Sequence, residues 1–207
     1  NLKANGLNYK SNSFNMNYGI TNLNVNGKIN QIHTNGNVFI NNFSYSKEFA
    51  MVDSNNDVNE NLNILLPNAP DVNHTLEINL SNEKPMHLTN NVGNLSFNIE
   101  DLKLKGSVFN PSWTGTIYST TSASNKLSVP IKPIDISFEN PKVSLVFIND
   151  TKWNPKLSLR AKRHERDTQI YLNYDGPLNN FKNKISLTSQ PPLPQTEIIE
   201  ILTGTRA

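Results

Sequence analysis

Residues that could bind a metal ion or perform catalysis are sparse in this sequence. The nearest approach to a calcium loop is DSNNDVNE, in which Asp53, Asn55 and Asp57 occupy alternate positions. A calcium loop of this type then needs glycine where Val58 stands and a bidentate glutamate where Ile64 stands. Because both are missing, we interpret the stretch as a solvated acidic loop.

The histidines and candidate nucleophiles show no spacing typical of an active site. His33, His74, His87 and His164 do not follow the HxxxH spacing of a metal site, and His33 and His74 are predicted to lie at the surface. The sequence has no cysteine, no GxSxG turn and no glycine-rich phosphate loop. We therefore predict that the chain is not an enzyme and needs neither a cofactor nor a metal.

The most basic stretch, KWNPKLSLRAKRHERD, follows the pattern of a strand. Arg160 and Lys162 alternate with Leu157, Leu159 and Ala161, which places the charges on the wet face of that strand. A solvated face is the simpler interpretation, and contact with acidic lipid headgroups or an acidic partner is the alternative. With a net charge of +2 and no interleaved exposed aromatic residues, the chain is not expected to bind nucleic acid.

Alternation of apolar and polar residues recurs along nearly the whole chain and predicts half-buried β-strands. Asn-Gly pairs at Asn5, Asn26 and Asn35 are interpreted as turns, and the polar segments 51–71 and 119–125 as loops. A bulge or turn is predicted at Asn41-Asn42, where one run changes register. The alternating runs cover residues 23–29, 38–46, 75–80, 95–109, 134–138, 143–148, 156–161 and 169–174.

Asparagine is the over-represented residue, with 36 of 207 positions and 27 of the first 100. Drift in an AT-rich genome is the simpler explanation, and stacked asparagine ladders in a β-solenoid are the structural alternative. The chain is 36% hydrophobic with a mean hydropathy of −0.51, which favours a lined surface or a thin core over a thick one. No signal peptide or spanning segment is present, and the chain starts abruptly at Asn1, so we expect it to be a fragment of a longer protein.

Helical character is confined to the C-terminal segment. Thr196 is predicted to cap the N-terminus of a short helix, and Gly204 is predicted to end it. Three prolines stop the strand pattern before it: Pro191, Pro192 and Pro194. The apolar stripe of the helix consists of Ile198, Ile199 and Leu202. A helix of about two turns is marginal alone in water, so it must dock on another surface.

The last quarter of the chain carries a set of motifs that resembles the C-terminal domain of the TamB family. The motifs are a P-x-L-x-[apolar]-x-A strand, a strand that closes in glycine, and S-x-P-x-L followed by an acidic-apolar helix that ends L-x-G. Here they fall on Pro155, Leu157, Leu159 and Ala161, then on Gly176, then on Ser189, Pro191, Leu193, Glu197, Ile198, Ile199, Leu202 and Gly204. Gln190 stands where the family usually has Asp, and Leu202-Thr203 where it usually has Leu-Leu. Residues 1–150 fit by strand texture alone.

This resemblance implies an all-β fold. Residues 1–188 are expected to form an elongated, curved β-sheet with an apolar concave face, and residues 189–207 a proline-rich turn with the short helix. Because the family belongs to the AsmA-like lipid-transfer proteins, the resemblance implies a non-enzymatic conduit that moves phospholipid between the inner and outer membranes.

The resemblance also implies a place in the cell and a partner. It implies a location in the periplasm of a diderm bacterium, or in the plastid envelope, with an inner-membrane anchor in a missing N-terminal region. It implies docking on an Omp85-type outer-membrane barrel, TamA or BamA. Residues expected to line a groove for phospholipid acyl chains are Leu95, Phe97, Ile99, Ile134, Ile136, Phe138, Leu157, Leu159, Ala161, Ile170, Leu172 and Tyr174. Residues expected to dock on the barrel are Leu193, Ile198, Ile199, Leu202 and Gly204.

Two alternatives follow from the pattern of the residues. Alternation alone does not distinguish an open groove from a closed β-sandwich. The alternative function is a surface adhesin or fibre built as an asparagine-rich β-solenoid. That fold needs a fixed repeat of about 20 to 30 residues, which the sequence lacks, and it leaves the terminal helix unexplained.

Overall fold

The computed structural model describes residues 2–10, 14–28, 30–46, 73–131 and 134–205 of the chain. Within these ranges twelve strands join one sheet and a short helix follows the last strand, which confirms the predicted all-β fold with a terminal helix. The strands are β1 (Leu2–Lys10), β2 (Phe14–Lys28), β3 (Gln31–Tyr45), β4 (Asn73–Asn82), β5 (Met86–Asn90), β6 (Gly93–Ser107), β7 (Asn110–Ser119), β8 (Lys126–Ile131), β9 (Ile134–Asp150), β10 (Lys156–Glu165), β11 (Thr168–Pro177) and β12 (Ser186–Gln190). A 3₁₀ helix covers Leu178–Asn183, and the α-helix, α1, covers Gln195–Thr203.

The strands follow one another across the sheet almost in chain order. That order is β1-β2-β3-β4-β6-β7-β9-β10-β11-β12, while β5 pairs with β3 and β6, and β8 pairs with β6 and β9. Neighbouring strands are antiparallel, except that β3 runs parallel to β4 and to β5. A solenoid stacks its strands in parallel coils, so the alternative β-solenoid does not describe these residues.

The alternating runs of the sequence fall mainly within strands. The runs at 134–138 and 143–148 form one long strand, β9. The predicted bulge in β3 is confirmed, because Asn17 pairs with Asn42 and Tyr18 with Ile40, which leaves Asn41 as the extra residue. The predicted loop at 51–71, with its acidic residues, lies outside the described residues.

Five strands of the described sheet were missed by the sequence analysis. These are β1, β5, β7, β8 and β12. In β7, Pro111 and Gly115 stand among mostly polar residues, yet the strand pairs with β6 on one side and β9 on the other. Pairing with two strongly patterned neighbours therefore determines the conformation that β7 adopts.

The Asn-Gly pairs lie inside strands, so their interpretation as turns is wrong. Asn35 and Gly36 belong to β3, and Gly36 pairs with Leu23 beside a bulge in β2. A Cβ atom added at Gly36 would lie 2.1 Å from the carbonyl oxygen of Asn22. Glycine is therefore required here for the close approach of two backbones rather than for a change of direction.

Asparagine side chains form hydrogen-bonded ladders across neighbouring strands. Asn41 donates to Asn17 at 2.8 Å, and Asn17 donates to Asn8 at 2.7 Å. Two further sets are Asn79 to Asn37 to Asn22, with both bonds at 2.8 Å, and Asn82 to Asn98, at 3.0 Å. The predicted ladders thus exist for these residues, but they cross a meandering sheet instead of a solenoid.

The sheet branches at β8, and one buried asparagine holds the loop between β7 and β8. The side chain of Asn125 is 1% exposed. Its Oδ1 accepts from the backbone N–H of Ser96 at 3.1 Å, and its Nδ2 donates to the carbonyl of Thr120 at 2.7 Å. The N–H of Thr120 in turn donates to the carbonyl of Ser96 at 2.7 Å, so the predicted loop at 119–125 is tied to β6.

Asn125→Ala is expected to lower the free energy of unfolding by about 1–3 kcal/mol, because it leaves the N–H of Ser96 and the carbonyl of Thr120 without their partner. Thr121→Ala, at an exposed position of the same loop, is expected to change it by less than about 0.5 kcal/mol. Urea denaturation of both variants measures the difference, and equal midpoints would contradict the role of Asn125.

Candidate functional site

One closed set of apolar side chains joins the C-terminal strands to α1, and we call it the apolar cluster. Its members come from β6, β8, β9, β10, β11 and α1, and each is exposed by 5% or less. They are Leu95, Leu127, Val129, Ile136, Phe138, Leu157, Leu159, Ala161, Ile170, Leu172, Tyr174, Ile198 and Leu202.

The apolar cluster contains nine of the twelve residues predicted to line a groove: Leu95, Ile136, Phe138, Leu157, Leu159, Ala161, Ile170, Leu172 and Tyr174. Phe97 is half-buried and packs against the cluster, whereas Ile99 is half-buried outside it. Ile134 is 43% exposed, because it stands at the tip of the β8–β9 hairpin, opposite Ile131. The structure therefore brings most of the predicted residues together and leaves Ile134 apart.

Strand register places the leucines of β10 on one face. Leu157 pairs with Leu145 and Leu159 with Val143 of β9, and Leu159 also pairs with Tyr174 of β11. Residues directly opposite each other on neighbouring strands point to the same side of the sheet. A slip of one residue would turn all of these side chains to the polar side, so the alternation itself specifies the register.

Tyr174 closes the end of the apolar cluster near the 3₁₀ helix. Its hydroxyl donates to the carbonyl of Pro177, and its ring meets that of Phe181 edge-on at 5.2 Å. Burial raises the pKa of the Tyr174 hydroxyl, and the adjacent Asp175 carboxylate raises that pKa further. Both causes favour the neutral phenol, which keeps its donor for Pro177.

The turn before α1 is held by one serine. The Ser189 hydroxyl donates to the carbonyl of Pro191 at 2.8 Å and accepts from the N–H of Leu193 at 3.0 Å. This contact fixes the proline-rich turn and brings Leu193, one of the predicted docking residues, against the apolar cluster.

The ends of α1 differ in how well the sequence predicted them. Pro194 occupies the N-cap position without a side-chain cap, and Thr196 lies within the helix, so the prediction of Thr196 as the cap is wrong. Gly204 ends the helix in the left-handed conformation, with φ of 70°, as predicted. Its N–H donates to Ile201 at 3.4 Å and that of Thr205 to Glu200 at 3.1 Å, the hydrogen-bond pair of a Schellman motif.

The buried stripe of α1 differs by one residue from the predicted stripe. Ile198 is fully buried and Leu202 is 4% exposed, so these two residues dock the helix as predicted. Ile201 packs against the apolar cluster, whereas Ile199 is half-buried and does not join it. The spacing of 198, 201 and 202 is the i, i+3, i+4 pattern of a helix face, and this signal could have identified Ile201.

Apolar residues continue from the apolar cluster towards the N-terminal strands in three cross-strand sets, which we call the apolar rows. Trp113 and Ile117 are four residues apart in β7, so their side chains point to the same face of the sheet. The second and third rows therefore lie on one face. Leu102 and Leu157 are buried and the other members are half-buried. The first row is Ile20, Val38, Leu80 and Leu102; the second is Ile78, Leu104 and Trp113; the third is Ile99, Ile117, Leu145 and Leu157.

Burial differs between the two halves of the sheet. Among the described side chains of β1–β4, Ile40 is the one buried apolar side chain, whereas the apolar cluster in the C-terminal half is closed. The apolar rows share Leu157 with the apolar cluster, so the two surfaces are continuous.

The histidines near the N-terminal half are bonded across strands rather than lying free at the surface. His33 Nδ1 is 2.9 Å from the Thr75 hydroxyl, and His74 Nε2 is 2.8 Å from the Thr34 hydroxyl. Both imidazoles are half-buried, which corrects the predicted surface position. In the described ranges no three metal-ligating side chains come together, and no helix is long and apolar enough to cross a membrane.

Comparison with known proteins gave one match. The family model of the TamB C-terminal domain matches residues 1–207, which is the whole chain. Searches of the curated proteins and of the solved structures gave no match.

Ile198→Ala is expected to lower the free energy of unfolding by about 2–5 kcal/mol, because it opens a cavity where α1 meets the apolar cluster. Ile199→Ala, one position along the same helix, is expected to cost less than about 1 kcal/mol. Urea denaturation of the two variants, with limited proteolysis to detect release of α1, provides the measurement. Equal losses for the two isoleucines would show that the buried stripe is assigned wrongly.

Proposed function

The chain belongs to the TamB C-terminal domain family. We propose that it works in a bacterial envelope with a TamA-type partner and forms the C-terminal part of a phospholipid conduit. In this proposal the apolar rows form the concave lining of a curved sheet. Acyl chains lie along that lining as phospholipid moves between the inner and outer membranes, and the sheet performs no chemistry.

The continuity of the apolar rows with the apolar cluster is the observation that carries this proposal. Apart from the buried Leu102 and Leu157, the side chains of the rows are half-buried, so they retain apolar surface that another apolar group can cover. Each buried methylene group contributes about 0.8 kcal/mol, so one acyl chain held along several strands gains several kcal/mol before entropic costs. An acyl chain that slides along such a surface replaces one apolar contact with an equivalent one. This favours transfer of the lipid over tight binding at one position.

We assign to α1 the role of a cover at the end of the lining. Ile198 and Leu202 belong to the same apolar cluster as Leu159 and Leu172, so they occupy surface that an acyl chain would otherwise contact. The helix carries few apolar residues and follows a turn, so it can leave the sheet without disturbing the strand ladders. Docking on an Omp85-type barrel would compete for the same apolar stripe and open the end of the conduit.

A photoreactive residue at Ile78 is expected to crosslink phospholipid in cells, and one at Asn79 is not. The two positions are adjacent in β4, with Ile78 in the apolar rows and Asn79 exposed on the other face in an asparagine ladder. Neither side chain is fully buried, so both variants should fold, which circular dichroism checks. Mass spectrometry identifies the adducts, and equal lipid capture at the two positions would contradict an apolar lining.

Deletion of residues 197–207 is expected to keep most of the β-structure and to impair outer-membrane function in cells, because the strands do not need α1 for their ladders. Glu200→Gln, an exposed change on the intact helix, serves as the control and should leave function unchanged. Circular dichroism follows the strands and sensitivity to detergents follows the outer membrane. Full function after the deletion would show that α1 is a terminal plug without a docking role.

A further inference from the structure

The polar face of β9 and β10 carries two cations directly opposite each other. Lys142 of β9 pairs in register with Arg160 of β10, and both side chains are exposed. Residues paired in this way have Cα atoms about 4.5–5.5 Å apart. Like charges at such positions destabilise a sheet, so their presence calls for a compensating anion.

The neighbouring carboxylates are matched by other lysines. Asp175 forms an ion pair with Lys156 at 2.7 Å. Glu139 stands in register with Lys162 on one side and with Lys126 on the other. Within the described ranges, Lys142 and Arg160 therefore have no ion-pair partner.

A cleft of about 770 Å³ lies over this pair of cations. It forms where β9 changes partner, since residues 134–139 pair with β8 and residues 144–150 with β7. Tyr118, Ser144 and Ser158 line it beside Lys142 and Arg160 and add three hydroxyl groups on the same face of the sheet. Hydroxyl groups beside two cations provide the donors that a phosphate group accepts.

The walls of the cleft are held by hydrogen bonds rather than by loose chain. The Ser119 hydroxyl donates to the carbonyl of Pro141 at 3.1 Å and accepts from the N–H of Val143 at 2.9 Å. On the other side, the loop at 120–125 is anchored by the buried Asn125. The backbone on both sides of Lys142 and the loop opposite it are thus held in place by the protein itself.

We propose that this cleft binds a phosphate group, with the guanidinium of Arg160 contacting two phosphate oxygens and the ammonium of Lys142 a third. The strand alternation puts Leu159 and Val143 on one face and Arg160 and Lys142 on the other, so a phospholipid lying on the apolar rows does not reach the cleft. The site is therefore separate from the conduit. Its ligand is either the headgroup phosphate of a membrane surface or free phosphate.

Titration of the whole chain with inorganic phosphate, and flotation with phosphatidylglycerol vesicles, test the proposal at low ionic strength. Lys142→Gln combined with Arg160→Gln should weaken binding at least ten-fold. Lys28→Gln combined with Lys84→Gln, at exposed positions remote in sequence from the cleft, removes the same charge and should leave binding unchanged. Arg160→Lys alone should bind phosphate more tightly than the Lys142→Gln, Arg160→Gln double variant and more weakly than the natural chain, because an ammonium keeps the charge without the bidentate geometry.

The source of the phosphate follows from which probe binds. Vesicle binding that the double variant loses identifies a membrane surface, and phosphate binding without vesicle binding identifies free phosphate. Either result supports the site. The proposed site would be overturned if the natural chain bound neither probe, or if the two double variants lost binding equally. Neither result would change the lipid crosslinking expected at Ile78, which tests the proposed conduit.

Discussion

A sheet whose strands carry apolar residues at every second position has one face that must be covered. In the C-terminal half of this chain the cover is made by the protein itself, since α1 and its proline-rich turn close the apolar cluster. In the N-terminal half, the corresponding side chains of β2–β4, which are Ile20, Val38, Ile78 and Leu80, stay half-buried. Because one face of the sheet must be covered, the C-terminal half is closed by α1, whereas the N-terminal half keeps apolar side chains that another apolar group can contact.

The polar face of the sheet is organised by different interactions. Asparagine ladders cross β1 to β4, so they link strands whose apolar face is incompletely covered. Side-chain amides suit this position because each one both donates and accepts. On the polar face of β9 and β10, by contrast, Lys142 and Arg160 stand opposite each other, and their like charges favour binding of an anion.

Strong alternation of apolar and polar residues allowed most of the strands to be predicted from the sequence. The C-terminal motifs indicated the family, and the family match over the whole chain confirmed it. Leu157, Leu159 and Ala161 were predicted on one face because period two leaves no other arrangement, and they are buried together. Strand β7 was missed because its residues are mostly polar and its pairing depends on its neighbours. Strand β8 was missed because it is short and contains Pro130. Thr196 was assigned as a cap from its hydroxyl, but the preceding prolines start the helix at Gln195.

Long-range pairing explains the features that no local pattern could predict. The cleft at Arg160 exists because β9 exchanges β8 for β7, and the need for glycine at Gly36 depends on a bulge in a different strand. Lipid mass spectrometry of the purified chain tests the proposed conduit most directly. If the apolar rows hold acyl chains, phospholipid will co-purify in near-stoichiometric amount, and a chain that purifies free of lipid from cells would contradict the conduit.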